Sequence, residues 1–113
     1  MGRKSRRKGY EGERAAVLAA RAAGLDARRV PLSGGAEGYP GDLILDGRRY
    51  EVKRRARGFA LLYRWLGDNA GLILRADRKE PLVVVPLEAY LGLLSRAREA
   101  TRARLEREAW TPR

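Results

Sequence analysis

Residues 42–53 read DLILDGRRYEVK, and the Asp46-Gly47 step at their centre organises everything around it. An apolar run, Leu43-Ile44-Leu45, precedes the step, and a second strand-like run, Arg48 to Lys53, follows it. A two-residue loop of the Asp-Gly type is a strong hairpin signal, because a type I′ turn needs positive φ at both central positions. The turn fixes the pairing. Leu45 is expected opposite Arg48, Ile44 opposite Arg49, Leu43 opposite Tyr50 and Asp42 opposite Glu51.

Opposed residues of an antiparallel pair share a face, with Cβ atoms about 4.5–5.5 Å apart. Strand alternation adds Lys53 to the face of Glu51 and sends Val52 to the other side with Tyr50. Two carboxylates placed this way repel each other and destabilise the sheet unless something compensates. A hard divalent cation does so, since Mg²⁺ is bound by one or two carboxylates, waters and substrate phosphate. The same residues also fit a plainer reading, with Asp42 starting a strand and Glu51 and Lys53 forming a surface ion pair.

The 113 residues suffice for one compact domain. Histidine and cysteine are both absent, which excludes imidazole ligands, thiolate metal sites, disulfides and Ser-His chemistry. Reactive chemistry therefore falls to carboxylates, Lys, Tyr, Ser or Arg. Lys and Arg number 25 against 14 Asp and Glu, a formal net charge of +11. So large an excess on a small chain points to a polyanionic partner, foremost nucleic acid, because neutralised phosphates release counterions. Arginine dominates the basic residues, and its planar fork binds phosphate bidentately. An arginine excess also arises from a GC-rich genome. Absence of Gln, and single Asn and Met residues, fit a thermophilic host.

No apolar run approaches the ~20 residues of a membrane span, so no membrane association is expected. The basic start MGRKSRRKG is not followed by an apolar segment, which argues against a secretory signal and for a cytoplasmic protein. Residues 1–9 read as a flexible basic arm, and residues 10–95 as the folded domain. Within it, 10–23 carry a helical stripe that Gly24 stops, 27–32 form a short strand, and 33–41 form a Gly/Pro-rich loop. Phe59, Leu62, Tyr63 and Leu66 have the spacing of an amphipathic helix over 58–68. GLILR (71–75) and PLVVVP (81–86) read as strands. A last helix opens at Leu87, and 96–113 continue it as a charged extension. The order predicts an α/β domain built on a central mixed five-stranded sheet flanked by helices.

Asp42, Glu51 and Lys53 match the PD-(D/E)xK pattern, with Pro40 one residue further from the Asp than in its strictest form. From about Arg7 to Arg54 the chain resembles the archaeal-type Holliday junction resolvases of that nuclease superfamily. The likeness runs through RKG, GERAAV, PLSGG, GYPGDLIL and YEVK and fades after residue 55. It implies a restriction-endonuclease-like core, with Glu13, Ser33, Asp42, Glu51 and Lys53 as catalytic residues. It further implies Mg²⁺, with Mn²⁺ as a substitute, held by Asp42, Glu51 and Glu13.

Helix phase supports Glu13 over Glu11, because Glu13 shares its face with Val17 and Ala20 and an inward carboxylate needs a partner. Ser33 on its own reads as a turn residue, while the resemblance makes it a phosphate contact. Arg6, Arg7, Lys8, Arg29, Arg54, Arg55 and Arg57 are the expected DNA-binding side chains. The expected activity is paired nicking of four-way DNA junctions by a homodimer, since two symmetric cuts need two sites about a two-fold axis. Two alternatives stand beside it. One is a nuclease of the same fold acting on flaps or duplex, in repair or in phage genome processing (then in the host cytoplasm). The other is a non-catalytic nucleic-acid-binding protein.

Overall fold

The computed structural model describes residues 2–30 and 42–110, with side chains for 11–30 and 43–110. The order is α1 (Gly2–Ala22), β1 (Ala27–Arg29), β2 (Asp42–Leu45), β3 (Arg48–Glu51), α2 (Ala60–Leu66), β4 (Leu72–Leu74), β5 (Leu82–Val84) and α3 (Leu87–Ala109). The chain divides into two compact units, Met1–Arg64 and Trp65–Arg113. Among the described residues no helix is long and apolar enough to cross a membrane.

In the first unit α1 runs 21 residues. It takes in residues 2–9, which the sequence reading treats as a flexible arm. The physical reason is local: Arg and Lys are good helix formers, and no proline interrupts the run up to Ala22. The helix ends as Gly24 predicts. Gly24 adopts φ 81°, its N–H donates to the Arg21 carbonyl at 2.9 Å, and the Leu25 N–H donates to the Ala20 carbonyl at 3.0 Å. That pair of bonds is a Schellman motif, and its hydrophobic element is Leu25, which is buried. Glu13, Val17 and Ala20 recur at helical spacing and form the buried stripe. The stripe packs on β1 and β2, where Ala27, Leu43 and Leu45 complete a small core.

β1, β2 and β3 form an antiparallel sheet in that order. The β2–β3 register pairs Asp42 with Glu51, Leu43 with Tyr50, Ile44 with Arg49 and Leu45 with Arg48, as the turn requires. Asp46 and Gly47 take φ 51° and 81°, the two positive values of a type I′ turn. β1 adds to the other side of β2, with Ala27 opposite Leu45, Arg28 opposite Ile44 and Arg29 opposite Leu43. The Asp46 N–H also donates to the Asp26 carbonyl at 2.8 Å, which ties the turn to the entry of β1.

In the second unit β4 and β5 pair antiparallel, Ile73 opposite Val83, and α3 follows Pro86. Ile73 and Val83 are both exposed, and Leu91 is the buried residue of α3. The strands thus form two antiparallel sheets, of three and two strands, which corrects the expected mixed five-stranded sheet. The β2–β3 ladder closes on the two-residue turn and the β4–β5 ladder on a short connection, so their loop-closure cost is small. A ladder from β3 to β4 must instead span residues 52–71.

The turn geometry has a direct test. Gly47→Val puts a β-branched residue at φ 81° and is expected to lower stability by about 1–2 kcal/mol in urea unfolding. Gly47→Asn, which tolerates the left-handed region, loses clearly less. Equal losses for the two variants contradict the turn assignment.

Candidate metal and nucleic-acid site

The β2–β3–β1 register sorts the side chains of the first unit between two faces. Ala27, Arg29, Leu43, Leu45 and Tyr50 alternate onto the face that α1 covers. Three contacts confirm the sidedness. The Arg29 Nε–H donates to Oε2 of Glu13 on α1. Val52 lies 3.5 Å from where a Cβ on Gly12 would sit. The Arg54 guanidinium donates to Oε2 of Glu11 at 2.9 Å.

Positions 42 and 51, Arg28, Ile44, Arg49 and Lys53 alternate onto the other face, away from α1. Glu51 is half exposed, and its Oε1 accepts an ion pair from Lys53 Nζ at 3.0 Å. The structure therefore brings Asp42 and Glu51 into one cross-strand pair and sets Lys53 against Glu51. Positions 42 and 51 are both acidic, and Lys53 supplies an ammonium beside Glu51, within a chain of net charge +11.

The donor set suits a small hard cation. The Glu51 carboxylate is exposed on the sheet face away from α1 and leaves room for the waters that Mg²⁺ and Mn²⁺ retain, in a chain without His or Cys. Among the described residues no three acidic side chains gather around one point. The Asp42 side chain lies outside those residues.

Glu13 is the buried charged residue of the core, 3% exposed, whereas Glu11 is exposed. Burial thus separates the two acids as helix phase predicts. The partner of Glu13 is Arg29, however, and both belong to the face of α1, opposite that of Glu51 and Lys53. Arg29 stands opposite Leu43, the neighbour of Asp42, so Glu13 reaches the same end of the sheet from the other side.

Two expected DNA-binding residues, Arg29 and Arg54, are thus engaged by glutamates of α1. Arg55 and Arg57 follow β3 and are exposed. Arg6, Arg7 and Lys8 fall on the first turns of α1, with side chains outside the described residues. Ser33 and Pro40 also lie outside them. Arg28 escaped the sequence reading because no tight turn joins β1 to β2, so its register could not be counted from the sequence.

Comparison with protein-family models, curated proteins and solved structures found no match for this chain.

The two glutamate–arginine pairs predict different energetics. Arg29→Leu leaves a buried carboxylate without this partner, with an expected loss of about 2–3 kcal/mol in denaturant unfolding. Replacing both Glu13 and Arg29 by Leu recovers most of that loss, because no unpaired charge remains. Arg54→Ala breaks an exposed pair and costs less than about 1 kcal/mol. Comparable losses from Arg29→Leu and Arg54→Ala contradict the assigned burial.

Proposed function

We propose that the protein is a Mg²⁺-dependent DNA endonuclease that nicks four-way junctions, with Asp42, Glu51 and Lys53 as its reactive centre. The supporting observation is the cross-strand pairing of Asp42 with Glu51, with Lys53 against Glu51, in a chain without His or Cys. Opposed acids are disfavoured on a small sheet, and a shared cation gives them a purpose that packing does not. Mg²⁺ when bound supplies Lewis-acid activation of water and neutralises charge developing on the phosphate.

The chain's own residues do the rest. The hairpin sets positions 42 and 51 directly opposite each other on paired strands. Glu51 keeps the Lys53 ammonium beside the pair, where it donates to a phosphate oxygen as negative charge builds. Glu13 anchors Arg29 at the same end of the sheet and so fixes α1 against β1, the neighbour of the strand that carries Asp42. Hydrolysis adds water to phosphorus and breaks one P–O ester bond, leaving one strand with a phosphate end and one with a hydroxyl end. A homodimer supplies the second cut on the opposite strand. Junction recognition rests on shape and backbone, in keeping with the arginine-rich composition.

The Glu51–Lys53 pair favours a second reading, a non-catalytic DNA-binding protein whose acids are neutralised from within. Matched junction, flap and linear DNA, each assayed with Mg²⁺ and with EDTA, separate the readings. The endonuclease cuts junctions in preference to the others and stops in EDTA. Equal cutting of all three substrates leaves a nuclease of broader substrate, and no cutting leaves the binding protein. Asp42→Ala and Glu51→Ala are expected to lower cutting by at least about 100-fold while binding changes little. Normal cutting by either variant rejects the centre.

A further inference from the structure

We propose that Arg28 and Arg49 form a phosphate-binding row on the sheet face away from α1, holding a DNA strand alongside the Asp42–Glu51 row. The inference deepens the endonuclease reading by naming the substrate-contacting residues, and it rests on that reading for its position beside a reactive centre.

The register carries the argument. Arg28 on β1 and Arg49 on β3 both stand opposite Ile44 on β2, so the three form one row across the sheet. Both arginines are exposed, and the residue between them is uncharged. Neighbouring strands lie about 4.8 Å apart, which sets the two arginine backbones about 10 Å apart. Successive phosphates of a DNA strand are farther apart than its axial rise of about 3.4 Å, so this span matches neighbouring phosphates of one strand. The next row along the sheet, two residues or about 6.8 Å away, is the Asp42–Glu51 row, and Lys53 lies beyond it. A backbone held by Arg28 and Arg49 therefore runs parallel to the acidic row, one row away.

The other face cannot do this, because α1 covers it. Arg29 and Arg54 belong to that side and hold Glu13 and Glu11 of α1. Arg28 and Arg29 are sequence neighbours with opposite assignments: one anchors the helix and the other faces the open side of the sheet. Bidentate guanidinium groups suit phosphate oxygens at such fixed separations better than flexible ammonium groups do.

The test measures binding without cutting. Full-length protein is titrated against a fluorescent four-way DNA junction in EDTA over a series of salt concentrations. Arg28→Gln and Arg49→Gln are compared with Arg96→Gln, an exposed residue of α3 that changes net charge equally. Each sheet variant is expected to weaken binding about 5- to 10-fold and to lower the log–log salt slope by about 1, and the double variant by about 2. Arg96→Gln stays within about 2-fold. Arg28→Lys and Arg49→Lys keep most of the salt slope, which separates lost phosphate contact from lost folding.

Sheet variants that bind like Arg96→Gln overturn the proposal, as does wild-type protein that does not bind the junction. Cutting with Mg²⁺ is scored separately. Binding that depends on Arg28 and Arg49 without any cutting removes the nuclease reading and keeps the row. Cutting by wild type together with unaffected binding by the variants does the reverse.

Discussion

One backbone constraint underlies the first unit: two successive residues with positive φ at Asp46 and Gly47. A strand alternates strictly, so the register that this turn sets decides the face of every side chain on β2 and β3. Moving the pairing by one residue would send Leu43 and Leu45 to solvent and the acidic pair into the core. The buried leucines and the turn thus specify the same register independently. The sheet keeps that register despite opposing Asp42 to Glu51 because the leucine face and the turn outweigh one repulsive pair.

The helix side of the sheet is closed by charge as well as by packing. Glu13 is buried among apolar residues and held by the Arg29 guanidinium. Such a pair adds little net stability, since desolvation offsets most of the Coulomb gain, but each partner becomes costly to remove alone. That asymmetry makes it a device for fixing α1 in one position along the sheet. The Glu11–Arg54 pair, more exposed, adds a second helix-to-sheet ion pair two residues earlier in α1 at lower strength.

The strongest local signals in the sequence were read in full: the Asp-Gly hairpin, the Gly24 stop, the inward phase of Glu13 over Glu11 and the proline before α3. Each is a property of a few adjacent residues. The five-stranded sheet was read by adding strands along the chain, and it failed because strand count does not specify which edges pair. The helical start of α1 was missed for a different reason. Charge density alone resembles a solvated arm, yet Arg and Lys are also good helix formers once a stripe further along anchors the helix.

What the amino-acid order alone determined is the hairpin, its register, and therefore the meeting of Asp42, Glu51 and Lys53 on one face, since a two-residue turn leaves no other alignment. What tertiary structure decided is the fate of the arginines. β1 joins β2 through a long connection, so only the folded sheet shows that Arg28 faces outward and Arg29 inward to Glu13. Composition supplies the charge. Strand parity, once β1 is docked, decides which of that charge faces solvent and which holds the helix in place.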